Sequence, residues 1–115
     1  MLLLRNATLF DGVTADLTDH IDVLIEGSRI VEVSSTPIRR DGSDVVELAG
    51  RVLMPGLIDA HFHAYSPTFH MHTLDTMPRA LLVSYAARFL REALQRGFTT
   101  VRDPGGGDVG LALAV

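Results

Sequence analysis

The sequence lacks cysteine and has no long uninterrupted hydrophobic segment. Without cysteine, neither a disulfide framework nor a thiolate metal site can form, so any metal must be bound through nitrogen and oxygen ligands. Its apolar runs fall short of the ~18 residues that indicate a membrane helix. The four apolar residues before Arg5 are also fewer than the about 7–15 of a secretory signal. These absences predict a cytoplasmic protein without a membrane partner.

Positive charge is scarce as well. Ten lysine and arginine residues stand against 14 aspartate and glutamate residues, which gives a formal net charge of −4. Because a broad basic surface is missing, nucleic acid is excluded as an expected partner. Hydrophobic residues form 47% of the 115 residues, which indicates a globular chain rather than a disordered one.

Residues 1–55 are predicted to form short strands separated by polar turns. The predicted strands are residues 2–10, 21–25, 30–33, 45–48 and 52–54. The turn signals Glu26–Arg29 and Ala49–Arg51 each lie between two of these strands and predict two hairpins. A solvated loop is expected over residues 35–43, and the whole segment is expected to form a small antiparallel sheet.

The pattern changes after Pro55-Gly56, where we place a domain boundary and a hinge. Residues 57–63 predict a buried strand, and a long polar stretch follows over residues 64–77. Apolar residues at helical spacing predict a helix over residues 78–97, with Pro78 in its first turn and Gly97 at its C-terminal cap. Residues 98–103 predict another strand, and a further helix is expected after Asp108. Strand, helix and strand in this order predict two parallel strands in a βαβ unit.

Two histidines one residue apart, His61 and His63, end the first of these strands. Side chains alternate along a strand, so both imidazoles are expected on one face with Cα atoms roughly 6.6 Å apart, from a ~3.3 Å rise per residue. Imidazoles that converge in this way can share a metal ion. The alternative is a pair of hydrogen-bonded core histidines, and we favour metal ligation.

Four further residues are candidates for contact with the substrate or with a metal-binding histidine. Asp59 shares the parity of the two histidines, but a packing role is favoured for it. Asp103 ends the second predicted strand. Two roles are weighed equally for it: contact with the substrate, or stabilisation of a neighbouring loop. The second His-x-His pair, His70 and His72, is placed in the polar loop, where a surface or lid-lining role is favoured over substrate contact. A flexible active-site loop is expected at Gly105–Gly107.

In their order, these segments resemble the metal-dependent amidohydrolase superfamily, and in particular imidazolonepropionase-like and prolidase-like amidohydrolases. The matching stretches are Gly50-Arg51-Val52-Leu53-Met54-Pro55-Gly56-Leu57-Ile58-Asp59-Ala60-His61-Phe62-His63 and Gly97-Phe98-Thr99-Thr100-Val101-Arg102-Asp103-Pro104-Gly105-Gly106. The resemblance extends from about residue 2 to the end of the sequence, and its specificity lies in the order of the motifs.

The resemblance implies an α/β fold in which residues 1–55 form the N-terminal segment of a composite β-sandwich. Residues 56–115 would then form the first one to two βα units of a (β/α)8 TIM-type barrel. It further implies that His61 and His63 are metal ligands, and that the remaining ligands and a general-base aspartate come from later strands. A complete barrel takes ~250 residues, so the sequence is expected to be an N-terminal fragment that exposes a strand edge and apolar faces.

The implied function is hydrolysis of an amide, cyclic amide or peptide-like C–N bond by metal-activated water, with zinc as the expected metal. The expected partner is a small-molecule or dipeptide-like substrate, and the complete enzyme is a possible homo-oligomer. The alternative is a truncated, non-catalytic chain that acts as a metal- or protein-binding module.

Overall fold

A computed structural model describes residues 1–114 and shows two compact units, Met1–Pro55 and a second that begins at Gly56. Each unit has its own sheet, and together they give a mixed α/β chain. No helix within the described residues is both long and apolar enough to cross a membrane.

The first unit is a five-stranded mixed sheet. Its strands are β1 (Leu2–Leu9), β2 (Thr18–Glu26), β3 (Arg29–Ser34), β4 (Asp44–Glu47) and β5 (Val52–Leu53). The order is β3-β2-β1-β4, and β5 also pairs with β1. The β2–β3 hairpin is confirmed, since Glu26 faces Arg29 across a two-residue turn in an antiparallel pair.

The second predicted hairpin is wrong, because β4 and β5 both pair with β1 in parallel. The turn signal itself is correct: Arg51 N donates to Leu48 O at 3.0 Å, and φ is positive at both intervening residues. After the turn the chain continues to pair with β1 and does not fold back onto β4. Leu48 N donates to Arg5 O at 2.8 Å, and Gly50 N donates to Asn6 O at 2.7 Å. The sheet is therefore mixed and not wholly antiparallel.

The core of this unit lies on β1 and β2. The buried apolar side chains of the unit include Leu3, Ala7, Ile21, Val23, Leu24 and Ile38. One charged side chain, Asp22, is buried among them at 5% exposure. Its Oδ1 accepts Asn6 N at 2.9 Å and its Oδ2 accepts Ile38 N at 3.0 Å, so the carboxylate joins β2 to β1 and to the 35–43 loop.

The second unit contains two parallel strands and three helices in the described residues. These are β6 (Leu57–Asp59), α1 (Met71–Thr76), α2 (Arg79–Gln95), β7 (Phe98–Val101) and α3 (Val109–Ala114). Strands β6 and β7 pair in parallel, which confirms the predicted βαβ connection. Helix α2 agrees with its prediction: Pro78 is the N-cap, Gly97 follows the C-cap with φ 93°, and Glu92 pairs with Arg88 and Arg96 at 3.5 Å.

This unit differs from the sequence prediction at the ends of both strands and by one additional helix. Strand β7 ends at Val101, two residues before the predicted end at residue 103. Strand β6 ends at Asp59, four residues before the predicted end at His63. The polar stretch over residues 64–77 contains the short helix α1, which the sequence did not indicate because six residues without a side-chain cap carry little helical periodicity. Asp108 begins α3 as expected, and its Oδ1 accepts Gly110 N at 2.7 Å.

Candidate metal centre

Strand β6 ends in a bulge that changes the positions of the residues after it. Asp59 O accepts Arg102 N at 2.8 Å, and Arg102 O accepts Phe62 N at 2.9 Å. A regular parallel ladder would use the amide of residue 61 instead. One extra residue is therefore inserted, and the backbone amide of His61 is released from the ladder.

Side chains form hydrogen bonds with the backbone groups that have no ladder partner at the bulge. Asp59 Oδ1 accepts His61 N at 3.0 Å, which is the local turn that an aspartate forms with the amide two residues on. Arg102 Nη1 donates to Ala60 O at 3.4 Å. The carboxylate of Asp59 thus contacts the backbone of a candidate ligand, and its candidate role toward substrate or a ligand ring stays a prediction.

The imidazoles of His61 and His63 converge although they lie beyond the strand. Their Nε2 atoms are 3.2 Å apart, and the ring centroids are 5.0 Å apart with an interplanar angle of 75°. Two nitrogens at 2.0–2.1 Å from one tetrahedral zinc ion would be about 3.3–3.4 Å apart. The pair therefore fits the ligand spacing that a shared zinc ion requires, with nitrogen donors only.

The proton on His63 has a defined position. His63 Nδ1 lies 2.9 Å from Gly105 O. A carbonyl oxygen only accepts hydrogen bonds, so this contact requires the proton on Nδ1. The lone pair of Nε2 is then free, which is the form of histidine that binds a metal.

Asp103 lies two residues after the end of β7, and its carboxylate accepts two backbone amides near His63. Its Oδ1 accepts Gly105 N at 3.0 Å and its Oδ2 accepts Ala64 N at 3.1 Å. The same Oδ1 lies 3.6 Å from His63 Nδ1. Of the two roles expected for Asp103, the observed contacts are those of a residue that holds a loop; contact with substrate stays a prediction.

The hydrogen bond between Gly105 and His63 is a feature of the site that sequence reasoning missed. The Gly105–Gly107 segment was expected to be a flexible active-site loop, and in the structure both the amide and the carbonyl of Gly105 are hydrogen-bonded, to Asp103 and His63. A glycine carbonyl carries no side-chain signal. The available hint was the aspartate two residues earlier, since Asp-x-Gly is a common local turn pattern.

An open cleft of about 950 Å³ adjoins the two histidines. Its volume lies at the upper end of the ~300–1,000 Å³ typical of small-molecule sites. Besides His61 and His63 it is lined by Tyr65, Ser66, Thr68, Phe69, Met71, Leu74, Asp75, Leu82, Gly105 and Gly106. Most of the side chains from the 64–77 segment are apolar or aromatic, so the wall beside the histidines suits an uncharged group.

The second histidine pair is not brought to this cleft. Among residues 1–114, its lining includes neither His70 nor His72. The placement of His72 in a loop is wrong, because this residue lies in α1 and His70 is the N-cap of that helix. His70 O accepts Thr73 N at 3.0 Å and Leu74 N at 3.2 Å, so the His70 backbone begins the helix.

The described residues contain no complete set of metal ligands. Across residues 1–114 no group of three or more histidine, aspartate or glutamate side chains is placed to hold a metal ion. A zinc site is generally four-coordinate. His61 and His63 would therefore supply two ligands and leave the others to be provided by further groups or water.

Comparison with known proteins identifies the family. The model of the amidohydrolase family matches residues 52–115, which is more than half of the chain. The chain belongs to this family. The match begins at β5 and includes the bulge, both histidines and Asp103.

Sequence relatives include enzymes of two kinds. An adenine deaminase of Methylobacterium sp. (strain 4-46) is 40% identical over 74 residues, which cover 64% of this chain and 12% of that protein. A dihydroorotase of Streptococcus pneumoniae serotype 4 is 32% identical over 101 residues, which cover 88% of this chain and 21% of that protein. The chain thus spans about a fifth or less of the length of these relatives.

Solved structures agree with the observed fold over almost the whole chain. An amidohydrolase superposes with a TM-score of 0.94 at 39% identity, covering 99% of this chain and 28% of that chain. A prolidase solved in complex with N-methylphosphonate-L-proline gives 0.93 at 34% identity, covering 98% and 28%. The α/β arrangement described above is therefore that of the N-terminal part of known amidohydrolases.

Proposed function

We propose that this chain is the N-terminal part of a metal-dependent amidohydrolase that hydrolyses a C–N bond in an amide, cyclic amide or peptide-like substrate. One observation carries the proposal: the Nε2 atoms of His61 and His63 lie 3.2 Å apart at the carboxyl end of β6. Family membership and the names of the relatives, which include a dihydroorotase, an adenine deaminase and a prolidase, support the reaction class.

Each histidine would have a distinct part in holding the metal. A divalent metal, zinc in our proposal, supplies Lewis acidity that polarises a carbonyl and lowers the pKa of water. His63 would offer Nε2 while Gly105 O retains the proton on Nδ1. Without a metal, His61 Nε2 donates to His63 Nε2. His61 would therefore have to change to the tautomer that carries its proton on Nδ1 before it could offer Nε2 to a metal.

The proposal includes the fold of the longer enzyme. Residues 1–55 would be one segment of a β-sandwich, and residues 56–115 would be the opening of a (β/α)8 barrel. Support comes from β6, where Leu57 and Ile58 are 41% and 69% exposed. Parallel strands are normally covered on both faces, so this exposure fits a sheet that continues with further βα units.

The substrate would be a small molecule or a dipeptide-like compound that enters the cleft beside the histidines. The structure of a prolidase with a proline phosphonate bound and the dihydroorotase relative support these two substrate classes. A cytoplasmic location and a homo-oligomeric enzyme stay predictions from the sequence.

Zinc binding by the chain itself tests the proposal. We expect isothermal titration to show a single zinc ion bound by the unaltered chain. Replacement His61→Ala or His63→Ala removes a direct ligand and should weaken zinc binding by more than about 100-fold, the upper end of the effect of losing an outer-sphere partner.

The second His-x-His pair provides the matched control. His70→Ala and His72→Ala remove the same kind of side chain at the same spacing, away from the cleft lining, and should leave zinc affinity unchanged. Equal losses in both pairs of variants would show non-specific chelation and would refute the proposed site. Zinc binding at His61 and His63 without hydrolysis in the complete enzyme would instead favour the non-catalytic alternative.

A further inference from the structure

Asp103 is connected to the ring of His63 through two hydrogen bonds to the backbone of Gly105. Its Oδ1 accepts the amide of Gly105 at 3.0 Å, and the carbonyl of the same glycine accepts His63 Nδ1–H at 2.9 Å. Its Oδ2 accepts the amide of Ala64, the residue after His63, at 3.1 Å. One carboxylate thus binds the amide next to His63 and the amide of Gly105, whose carbonyl accepts the ring proton of His63.

The surroundings favour a fixed position for this carboxylate. The side chain of Asp103 is 15% exposed and Ala64 is 1% exposed, whereas the side chain of His63 is 39% exposed. A half-exposed neutral imidazole that lacks a partner can exchange its proton between Nδ1 and Nε2 through water. The contact with Gly105 O selects the Nδ1–H form, and Asp103 accepts the backbone amide of the same glycine.

We infer that Asp103 is a positioning residue that fixes the Nδ1–H tautomer and the orientation of His63 through Gly105, and so keeps Nε2 available for a metal. This inference rests on the proposed metal role of His63 for its purpose, but not for its geometry. Outer-sphere partners of metal-binding histidines commonly act in this way, and their loss costs about 10–100-fold in metal affinity.

The geometry also places the ring protons of His61 and His63 on different nitrogen atoms when no metal is bound. With His63 protonated on Nδ1, its Nε2 can only accept, so the 3.2 Å contact requires His61 to donate from Nε2. His61 and His63 should therefore be opposite tautomers. The positioning role of Asp103 predicts that both patterns depend on its carboxylate.

Nitrogen-15 NMR of the histidine rings measures this directly in mildly alkaline buffer without metal. In the unaltered chain we expect a protonated Nδ1 on His63 and a protonated Nε2 on His61. In Asp103→Ala both rings should shift toward a mixture of tautomers, and Asp103→Asn, which keeps one acceptor oxygen, should give an intermediate result. Asp108→Ala is the control, because Asp108 is the next aspartate along the chain and accepts Gly110 N at the start of α3.

Two glycine variants test the connection without changing Asp103. A Cβ on Gly107 would lie 2.9 Å from Asp103 Oδ2 and 3.0 Å from its Cγ, so Gly107→Ala should displace the carboxylate. A Cβ on Gly105 meets nothing within 4 Å, so Gly105→Ala should keep the carbonyl and the tautomer of His63. This pair decides the question if Asp103→Ala does not fold by circular dichroism.

Zinc titration of the same variants separates this inference from the proposed function. Asp103→Ala and Gly107→Ala should weaken zinc binding by about tenfold or more, while Asp108→Ala should not. If the tautomers change as expected but the unaltered chain binds no zinc, the positioning role stands and the proposed function fails. If zinc binds and folded Asp103→Ala and Gly107→Ala retain the tautomer of His63, the positioning role is refuted and the proposed function stands.

Discussion

Single residues at the end of β6 determine how the two histidines meet. Strand alternation predicted that His61 and His63 share a face, and their rings do converge. The cause is different, however, because the strand ends at Asp59 and a bulge follows. The hydrophobic periodicity of a sequence does not reveal an inserted residue. The hydrogen bonds that stabilise the bulge also join residues that are distant in the sequence, such as Arg102 and Ala60, which are 42 positions apart.

Gly56 provides a prediction at the scale of one residue. The sequence assigned it to a turn and hinge, but its φ is not in the left-handed region; a close approach to Thr99 requires the glycine. An added Cβ would lie 2.6 Å from Thr99 Cβ, and no rotation of the threonine side chain moves that atom. Gly56→Ala should therefore lower the free energy of unfolding by roughly 1–3 kcal/mol, as overpacking does, measured by urea denaturation.

Matched variants show whether the contact with Thr99 is responsible. Gly105→Ala adds the same methyl group in open space and should leave the urea midpoint nearly unchanged. Thr99→Gly removes the clashing Cβ, so the double variant should show a favourable coupling energy. Equal destabilisation by Gly56→Ala with and without Thr99→Gly would contradict this explanation.

At the scale of secondary-structure elements, the sequence predicted what depends on local pattern and missed what depends on partners. Helix α2 was predicted almost to the residue, because apolar spacing, Pro78 and Gly97 are all local signals. The turn at Ala49-Gly50 was also correct, but its signal does not state which strand the chain pairs with next. The carbonyls of Arg5 and Asn6 determine that β4 and β5 both lie along β1.

Asp22 on β2 gives a prediction about how elements are joined. Its carboxylate accepts the amides of Asn6 on β1 and Ile38 in the following loop, and Arg5 Nε lies 3.8 Å away. Asp22→Ala leaves two amides without an acceptor in a largely buried site. Each costs about 1–3 kcal/mol, so the free energy of unfolding should fall by roughly 2–6 kcal/mol in chemical denaturation.

The adjacent aspartates allow the comparison to be controlled. Asp19 on the same strand accepts only the exposed hydroxyl of Thr8, at 2.6 Å, so Asp19→Ala should change stability by no more than about 0.5 kcal/mol. Asp22→Asn retains one acceptor and should fall between the two. If Asp19→Ala and Asp22→Ala are equally stable, burial of the carboxylate is not what joins these elements.

At the scale of the whole molecule, the apolar surface agrees with a chain that forms part of a larger fold. Exposed apolar side chains occur on several elements of the second unit. Among them are Leu57 and Ile58 on β6, Leu81, Val83 and Leu94 on α2, and Leu113 on α3. The predicted exposure of apolar faces is confirmed, whereas the later ligands and the general base stay predictions because residues 1–114 hold no cluster of three metal-binding side chains.

A chimeric enzyme tests whether this chain supplies a working share of an active site. The prolidase superposes at a TM-score of 0.93 and corresponds to this chain over 28% of its own length. Replacing that part of the prolidase by this chain should give a zinc-dependent dipeptide hydrolase, because the position of both histidines is set within residues 56–114. In the chimera, His61→Ala should lower kcat/KM by at least about 100-fold, whereas His70→Ala should not. A folded chimera that binds zinc through His61 and His63 yet hydrolyses no dipeptide would restrict the chain to metal binding, because the ligands would then be correct and the chemistry absent.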